Sequence, residues 1–233
     1  MNEADLRPAR DFALQFGVKS VVYGKPGSAK TPVTVNTSPR PVLLASEPGM
    51  LTLKKSVCPT WPAFTPAKVD EFMLWFTSSH EAKNYDTLVW DSTSQSAEAY
   101  VAAELGTSTK GGNEQHGQRA YGKMSRWMME HLMKLYFMPQ KHIVLITKLN
   151  AAEINGAIYH RPYFPGKELN VRVPHLFDLV TVLGDWNIPG VLPSPTKAFR
   201  CREAFDYMAR DRSGNLQEYE PPVMSQLFKK CMQ

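Results

Sequence analysis

Eight consecutive residues carry the densest chemistry in this chain: Gly24-Lys25-Pro26-Gly27-Ser28-Ala29-Lys30-Thr31. Glycines let a tight turn aim its backbone N–H groups inward at an anion. The lysine that follows adds a compact cation, and the threonine hydroxyl is a hard oxygen donor for a divalent ion. The phosphate-binding pattern G-x-x-x-x-G-K-[ST] holds at every fixed position except the second glycine, where Ala29 stands. Lys30 is expected to bridge the β- and γ-phosphates of ATP, and Thr31 to hold Mg²⁺. Two residues depart from that chemistry. Ala29 puts a methyl where backbone must approach phosphate closely. Pro32 lacks the N–H normally offered to the α-phosphate and disfavours helical geometry at Thr31, so weak binding, slow hydrolysis and a short or irregular following helix are all expected.

Such a loop acts only if strands and helices hold other groups around it. The apolar run Ser20-Val21-Val22-Tyr23 leads into the loop. The run Val42-Leu43-Leu44-Ala45 ends in Ser46-Glu47, which brings a carboxylate beside the loop. Thr87-Leu88-Val89-Trp90 ends in Asp91-Ser92, and Asp91 is expected to reach Mg²⁺ through water. The run from His142 to Ile146 ends at Thr147, a polar group placed to sense the γ-phosphate. All four sit at the carboxyl ends of strands, where α/β sheets place their ligands. These runs, with a fifth from Leu179 to Leu183, are continuous in apolar residues rather than alternating, as in parallel strands covered on both faces.

Helical patterns fall between the strands. Thr65-Pro66 opens one, with Val69, Phe72, Met73 and Phe76 at helical spacing. Ala97, Val101 and Leu105 mark a second, stopping at Gly106. Tyr121, Met124, Met128, Leu132 and Leu135 mark a third, with Arg126, Glu130 and Lys134 on the opposite, solvated face. Alternation of strand and helix predicts an α/β fold with a mainly parallel sheet flanked by helices, and shorter pieces after Phe199 predict an antiparallel extension. We expect one domain over residues 1–233, with an arm over 1–17 and a core over about 18–220. Residues 106–117 read as a loop, and 150–167 as an irregular stretch.

Composition bounds the rest. The 233 residues hold 27 Lys and Arg against 22 Asp and Glu, a net charge of +5 that suits a polyanionic partner without requiring one. Cys58, Cys201 and Cys231 are scattered and form no zinc or disulfide pattern. No apolar run approaches the ~20 residues that span a bilayer, and the charged N-terminus lacks a signal peptide's apolar stretch. A soluble cytoplasmic protein with no membrane partner is expected.

The chain resembles the phage-encoded RecA-like P-loop ATPases, a group that includes single-strand annealing recombinases with a minimal RecA core. The resemblance rests on the loop at 24–31, on Leu43-Leu44-Ala45-Ser46-Glu47 and on Thr87-Leu88-Val89-Trp90-Asp91-Ser92, all widespread among P-loop proteins. Pro165-Gly166-Lys167, Leu176-Phe177-Asp178 and Ala209-Arg210-Asp211-Arg212-Ser213-Gly214 are more particular to the group. It implies a RecA-like fold that uses ATP and Mg²⁺ to act on single-stranded DNA in phage recombination or repair, in the host cytoplasm. It also implies a homo-oligomer with ATP at the subunit interface, and a single-strand-binding protein as a further partner. Glu47 matches the glutamate that positions the attacking water, and Arg210 and Arg212 match a basic pair that reaches a neighbouring subunit's γ-phosphate. By residue type alone, Glu47 also suits a surface turn before Pro48-Gly49, and Arg210-Asp211-Arg212 a solvated charge run.

DNA-binding loops follow the third and fourth strands in such folds. Here they offer Lys110 and Arg119 in the first, and Lys148, Arg161, Tyr163 and Lys167 in the second, with Tyr159, His160 and Phe164 among them. Cations following phosphates and rings stacking on bases suit a single strand, at about 1–3 kcal/mol per base. The same rings would also serve to pack a loop against the domain. Two rival functions stay open. A P-loop nucleotide or small-molecule kinase would need an arginine-rich lid, which is not visible in the sequence. A catalytically weak nucleotide-binding scaffold would fit Ala29 and Pro32.

Overall fold

Residues with no polar face cannot leave either side of a strand in water, so the apolar runs assemble side by side under helices. The computed structural model describes residues 6–106, 114–154, 156–204 and 206–233. Lys110 lies outside them. In chain order the strands are β1 (Lys19–Tyr23), β2 (Pro41–Ala45), β3 (Thr60–Pro62), β4 (Thr87–Asp91), β5 (His142–Thr147), β6 (Leu149–Ile154), β7 (Ala157–Pro162), β8 (Leu179–Trp186), β9 (Thr196–Arg200), β10 (Arg210–Asp211) and β11 (Tyr219–Glu220). The helices are α1 (Ala9–Ala13), α2 (Lys30–Thr37), α3 (Pro66–Ser78), α4 (Thr93–Gly106), α5 (Glu114–Tyr136), α6 (Lys167–Leu176) and α7 (Met224–Cys231).

The main sheet runs β11-β9-β8-β1-β5-β4-β2-β3, with β10 also paired to β8. From β3 to β8 every neighbour is parallel. Strands β9 and β10 run antiparallel to β8, and β11 to β9. The loop-bearing β1 is central, between β5 and β8, and the antiparallel extension comes from the C-terminal part of the chain. Helices α3, α4, α5 and α6 cover one face, and α2 and α7 the other, each over its own cluster of buried side chains.

Sequence signals account for most of these elements. Thr65 caps α3 by accepting the Lys68 N–H at 3.4 Å, with Pro66 in the first turn. On α5, Met124, Met128, Leu132 and Leu135 are fully buried, so truncating Leu132 to Ala would cost about 2–5 kcal/mol. Tyr121, placed in the same stripe by spacing, is exposed instead. Among the described residues, no helix is long and apolar enough to cross a membrane.

Three local expectations are corrected. Residues 150–167 are not irregular: β6 and β7 pair as an antiparallel hairpin with Ile154 opposite Ala157. Asn155-Gly156 between them is the strongest short hairpin signal a sequence offers, and it prevails over the mixed composition around it. Arg119 lies within α5 rather than in a loop, because that helix already starts at Glu114. Helix α2 is short but regular despite Pro32. The first N–H groups of a helix have no intrahelical partner, so proline there removes no helix bond.

Candidate functional site

Register makes the site. Tyr23 lies opposite Thr147, and Asp91 opposite both Ala45 and Ile146, so four parallel strands finish level. The chain therefore leaves the sheet along one rim at Gly24, at Ser46-Glu47, at Ser92 and at Lys148.

Backbone conformation shapes the loop that follows β1. A Cβ at Gly24 would stand 2.4 Å from the carbonyl oxygen of Leu183, so only glycine lets the loop press against β8. Gly27 has φ +78°, which glycine adopts freely. Ala29 has φ +68° and ψ +30°, a left-handed conformation that costs an L-residue about 1–2 kcal/mol. No side chain caps α2. Its N-terminus, with the N–H groups of Lys30 and Thr31, is thus open to an anion, while Pro32 contributes none. The Lys30 ammonium folds over its own loop, donating to the carbonyls of Gly24 at 2.9 Å and Lys25 at 3.1 Å. Burial lowers its pKa, opposed by the charges of Asp91 and Glu47. The Ser28 hydroxyl is buried in the loop without a hydrogen-bond partner.

Two carboxylates face this loop. The Thr31 hydroxyl donates to Asp91 Oδ2. Asp91 is 6% exposed, and its pKa is pushed up to about 6. Burial is the main cause and the Glu47 charge adds to it, while the Thr31 hydrogen bond and the Lys30 charge oppose. A buried carboxylate short of positive charge, touching a hydroxyl, is a donor set that fits a hard divalent cation such as Mg²⁺. Glu47 Oε1 accepts from the Ser92 hydroxyl at 2.6 Å. The fully buried Thr147 hydroxyl donates to the Lys148 carbonyl at 3.1 Å. Lys30, Thr31, Glu47, Asp91 and Thr147 thus share one rim of the sheet.

The arginine pair does not join them. Strand β10 pairs with the first residues of β8, Arg210 opposite Val180, at the amino end of the sheet. Arg210 Nη1 donates to the carbonyls of Pro174 at 3.3 Å and His175 at 3.5 Å. Arg212 donates to the carbonyls of His175 and Leu176 and pairs with Asp178 at 3.4 Å. Both guanidinium groups sit at the C-terminus of α6, where they satisfy its last carbonyls and oppose its dipole. Arg210 is half-buried and Arg212 exposed, and both guanidinium groups are engaged within their own chain.

The residues expected to bind a single strand are dispersed. The Lys148 ammonium is held by Gln95 at 3.1 Å and Glu98 at 2.6 Å. Arg161 is half-buried on β7, with its Nε lacking a partner. Tyr163 is half-buried, and Lys167 and Arg119 are exposed. Phe164, grouped with the stacking rings, is fully buried and belongs to the core. His160 stacks on Tyr207 at 4.5 Å, and the Tyr159 hydroxyl donates to Glu203 at 2.7 Å.

Reading the sequence missed a cavity of about 310 Å³ between the loop and the end of β8, walled by Leu149, Gly184, Asp185, Trp186 and Tyr207. The Arg200 guanidinium lies over the rings of Trp186 at 5.4 Å and Tyr207 at 5.9 Å, fixing two of those walls. The available signal was Trp186, which lies three residues past the fifth apolar run, on the same rim as the loop.

The chain matches the family model described as AAA domain over residues 17–184. Among solved structures, it is similar to a prototypical ATPase from the type III secretion system of pathogenic bacteria, with 15% identity and a TM-score of 0.44 over 72% of this chain and 52% of that one. It therefore spans about half the length of that ATPase. It is also similar to the RadB recombinase, with 13% identity and a TM-score of 0.38 over 80% of this chain and 87% of that one. No curated protein is matched.

Proposed function

The chain belongs to the AAA domain family of P-loop ATPases, and from that premise we propose that it hydrolyses ATP, with Mg²⁺, at the rim formed by residues 24–31, Glu47, Asp91 and Thr147. One observation carries the reading. Thr31 and Asp91, sixty residues apart, touch beside the Lys30 ammonium at the level ends of β1 and β4. Mg²⁺ held by Thr31 and Asp91 would neutralise charge on the β- and γ-phosphates. The open N-terminus of α2 receives phosphate oxygens, and Lys30 turns from its own loop carbonyls to them. Glu47 orients a water and takes its proton as the water attacks the γ-phosphorus, while the bond from that phosphorus to the β–γ bridging oxygen breaks and ADP leaves with the oxygen. Thr147 reports the γ-phosphate to the hairpin that begins two residues later. The aromatic cavity beside the loop suits the nucleoside end.

The proposal extends to single-stranded DNA in phage recombination or repair. Its support is the net charge of +5, the exposed Arg119 and Lys167, and the unpartnered Nε of Arg161. It extends also to a homo-oligomer, supported by Leu6, Phe12 and Leu14, large apolar side chains that the N-terminal arm leaves exposed and a second copy would cover. Phosphate release measured with and without single strands tests the whole reading. Turnover that Lys30→Ala abolishes, and that single strands stimulate, is expected. Turnover without stimulation would remove the DNA part alone. No Mg·ATP binding by calorimetry would remove the ATPase reading.

A further inference from the structure

Behind Glu47 lies a chain of hydrogen bonds that nucleotide binding by itself does not require. The Lys148 backbone N–H donates to the Ser94 hydroxyl at 3.2 Å. Ser94 donates to the Ser92 hydroxyl at 3.3 Å, and Ser92 donates to Glu47 Oε1 at 2.6 Å. Every donor points the same way, from the amide of residue 148 to the carboxylate, so each bond polarises the next. Ser92 is 3% exposed and Ser94 fully buried, so water does not compete for these contacts. Ser92 also accepts the Gln95 N–H at 3.2 Å as the cap of α4, which fixes its side chain relative to that helix.

Lys148 is the one residue between β5 in the main sheet and β6 in the hairpin. Its carbonyl accepts from Thr147 at 3.1 Å and from the Tyr163 N–H at 2.9 Å, just past β7. Its ammonium is anchored to Glu98 on α4. Both ends of the hairpin thus converge on one residue, Lys148, whose N–H opens the relay.

We propose that Ser92 and Ser94 are positioning residues that aim Glu47 at the attacking water, and that they transmit the position of the β6–β7 hairpin to it. The inference rests on the assignment of Glu47 as the base made above. A single strand engaging Arg161 or Tyr163 shifts the hairpin root, the Lys148 amide moves, and the two hydroxyls reorient the carboxylate. Coupling of this kind is reciprocal: nucleotide at the rim must change the hairpin root as well.

Steady-state kinetics and amide hydrogen exchange on the full chain test this together. Ser92→Ala should lower kcat about tenfold, the kinetic weight of one charge-assisted hydrogen bond, with KM little changed. Ser92→Thr, which keeps the hydroxyl and the cap, should recover most of that loss. Ser94→Ala should lower kcat less and remove the stimulation by single strands. A Ser92→Thr variant as slow as Ser92→Ala, or a Ser92→Ala variant as fast as the parent or faster, overturns the positioning role. Exchange needs no turnover. The Lys148 amide should exchange faster in Ser94→Ala than in the parent, and a non-hydrolysable Mg·ATP analogue should change its rate in the parent only. Equal response in both proteins refutes the relay even where Glu47 is the base. Conversely, Lys30→Ala binding nucleotide like the parent by calorimetry would remove the ATPase reading, while the exchange rates without nucleotide still decide the hydrogen-bond chain.

Discussion

The two ends of this parallel sheet treat buried polar groups in opposite ways. At the amino end they are satisfied by the protein. Lys19 is 1% exposed, yet its ammonium donates to the carbonyls of Met138 at 3.1 Å and Lys141 at 2.6 Å. Its backbone N–H donates to Asp178 at 2.9 Å, which in turn pairs with Arg212. His142 Nδ1 accepts the Val18 N–H at 3.0 Å, and its ring stacks on Phe228 at 4.1 Å. At the carboxyl end the protein leaves demands open. Ala29 is held left-handed, the Ser28 hydroxyl has no partner, and Asp91 is buried with too little positive charge around it. Closure at one end gives stability; incompleteness at the other is what a ligand can complete.

The largest effect should come from Lys30→Ala, which removes the cation at the open end. Mg·ATP affinity should fall about 100-fold or more, as expected for losing charge-assisted contacts to two phosphates. The thermal midpoint without nucleotide should hold or rise, since Lys30 is itself disfavoured by burial. Calorimetric titration beside a melting curve checks both. A fall in stability that matches the loss of affinity would erase the contrast between the ends.

His142 carries the next effect, at the closed end. Burial, with the nearby Lys19 charge, lowers its pKa from 6.5 to about 4. The unfolded chain therefore takes up the proton first as pH falls. This residue's contribution is fully present above pH 6.5 and is lost towards pH 4, a span worth up to about 3 kcal/mol. Denaturation from pH 7 to 4 should show that slope in the parent and lack it in His142→Gln, which cannot charge. A slope that persists unchanged would mean that other groups supply it.

A smaller effect is expected for Arg210→Ala/Arg212→Ala. Loss of the guanidinium contacts at the end of α6 should reduce stability by about 1–2 kcal/mol with little change in nucleotide affinity. Denaturant midpoints and turnover per folded molecule separate this from a trans-acting role. Turnover that collapses at unchanged stability, and returns on mixing with Lys30→Ala, would place these arginines at a neighbour's nucleotide after all.

The contrast between the ends also explains what the sequence made legible. The strands announced themselves because covered parallel strands must be apolar throughout, and the polar groups just past such runs were readable as rim residues. Glu47, Asp91 and Thr147 were located that way, and Lys30 and Thr31 by the phosphate-binding pattern that follows the first run. The amino end was opaque because its order depends on pairs far apart in sequence: Lys19 with Asp178, His142 with Phe228, Arg212 with the end of α6. No local pattern encodes such partners, so Arg210-Asp211-Arg212 could be read only as a charge run or a matched motif. The hairpin is a different case. Asn155-Gly156 encoded it locally, and its weakly alternating strands concealed it.

The smallest prediction tests the strain directly. A left-handed φ at Ala29 costs about 1 kcal/mol that glycine would not incur, partly offset by the extra freedom glycine has in the unfolded chain. Ala29→Gly should thus raise the melting midpoint without nucleotide by an amount equivalent to roughly 0.5–1 kcal/mol, and should tighten Mg·ATP by removing a methyl from the phosphate approach. Pro32→Thr is the informative partner. It restores an N–H to the first turn of α2, where no helix bond was missing, so it should act on affinity while leaving stability nearly unchanged. If Ala29→Gly lowers the midpoint, the left-handed turn is not strained in solution. If the two substitutions shift stability alike, strain and the missing donor are not separate features of the loop.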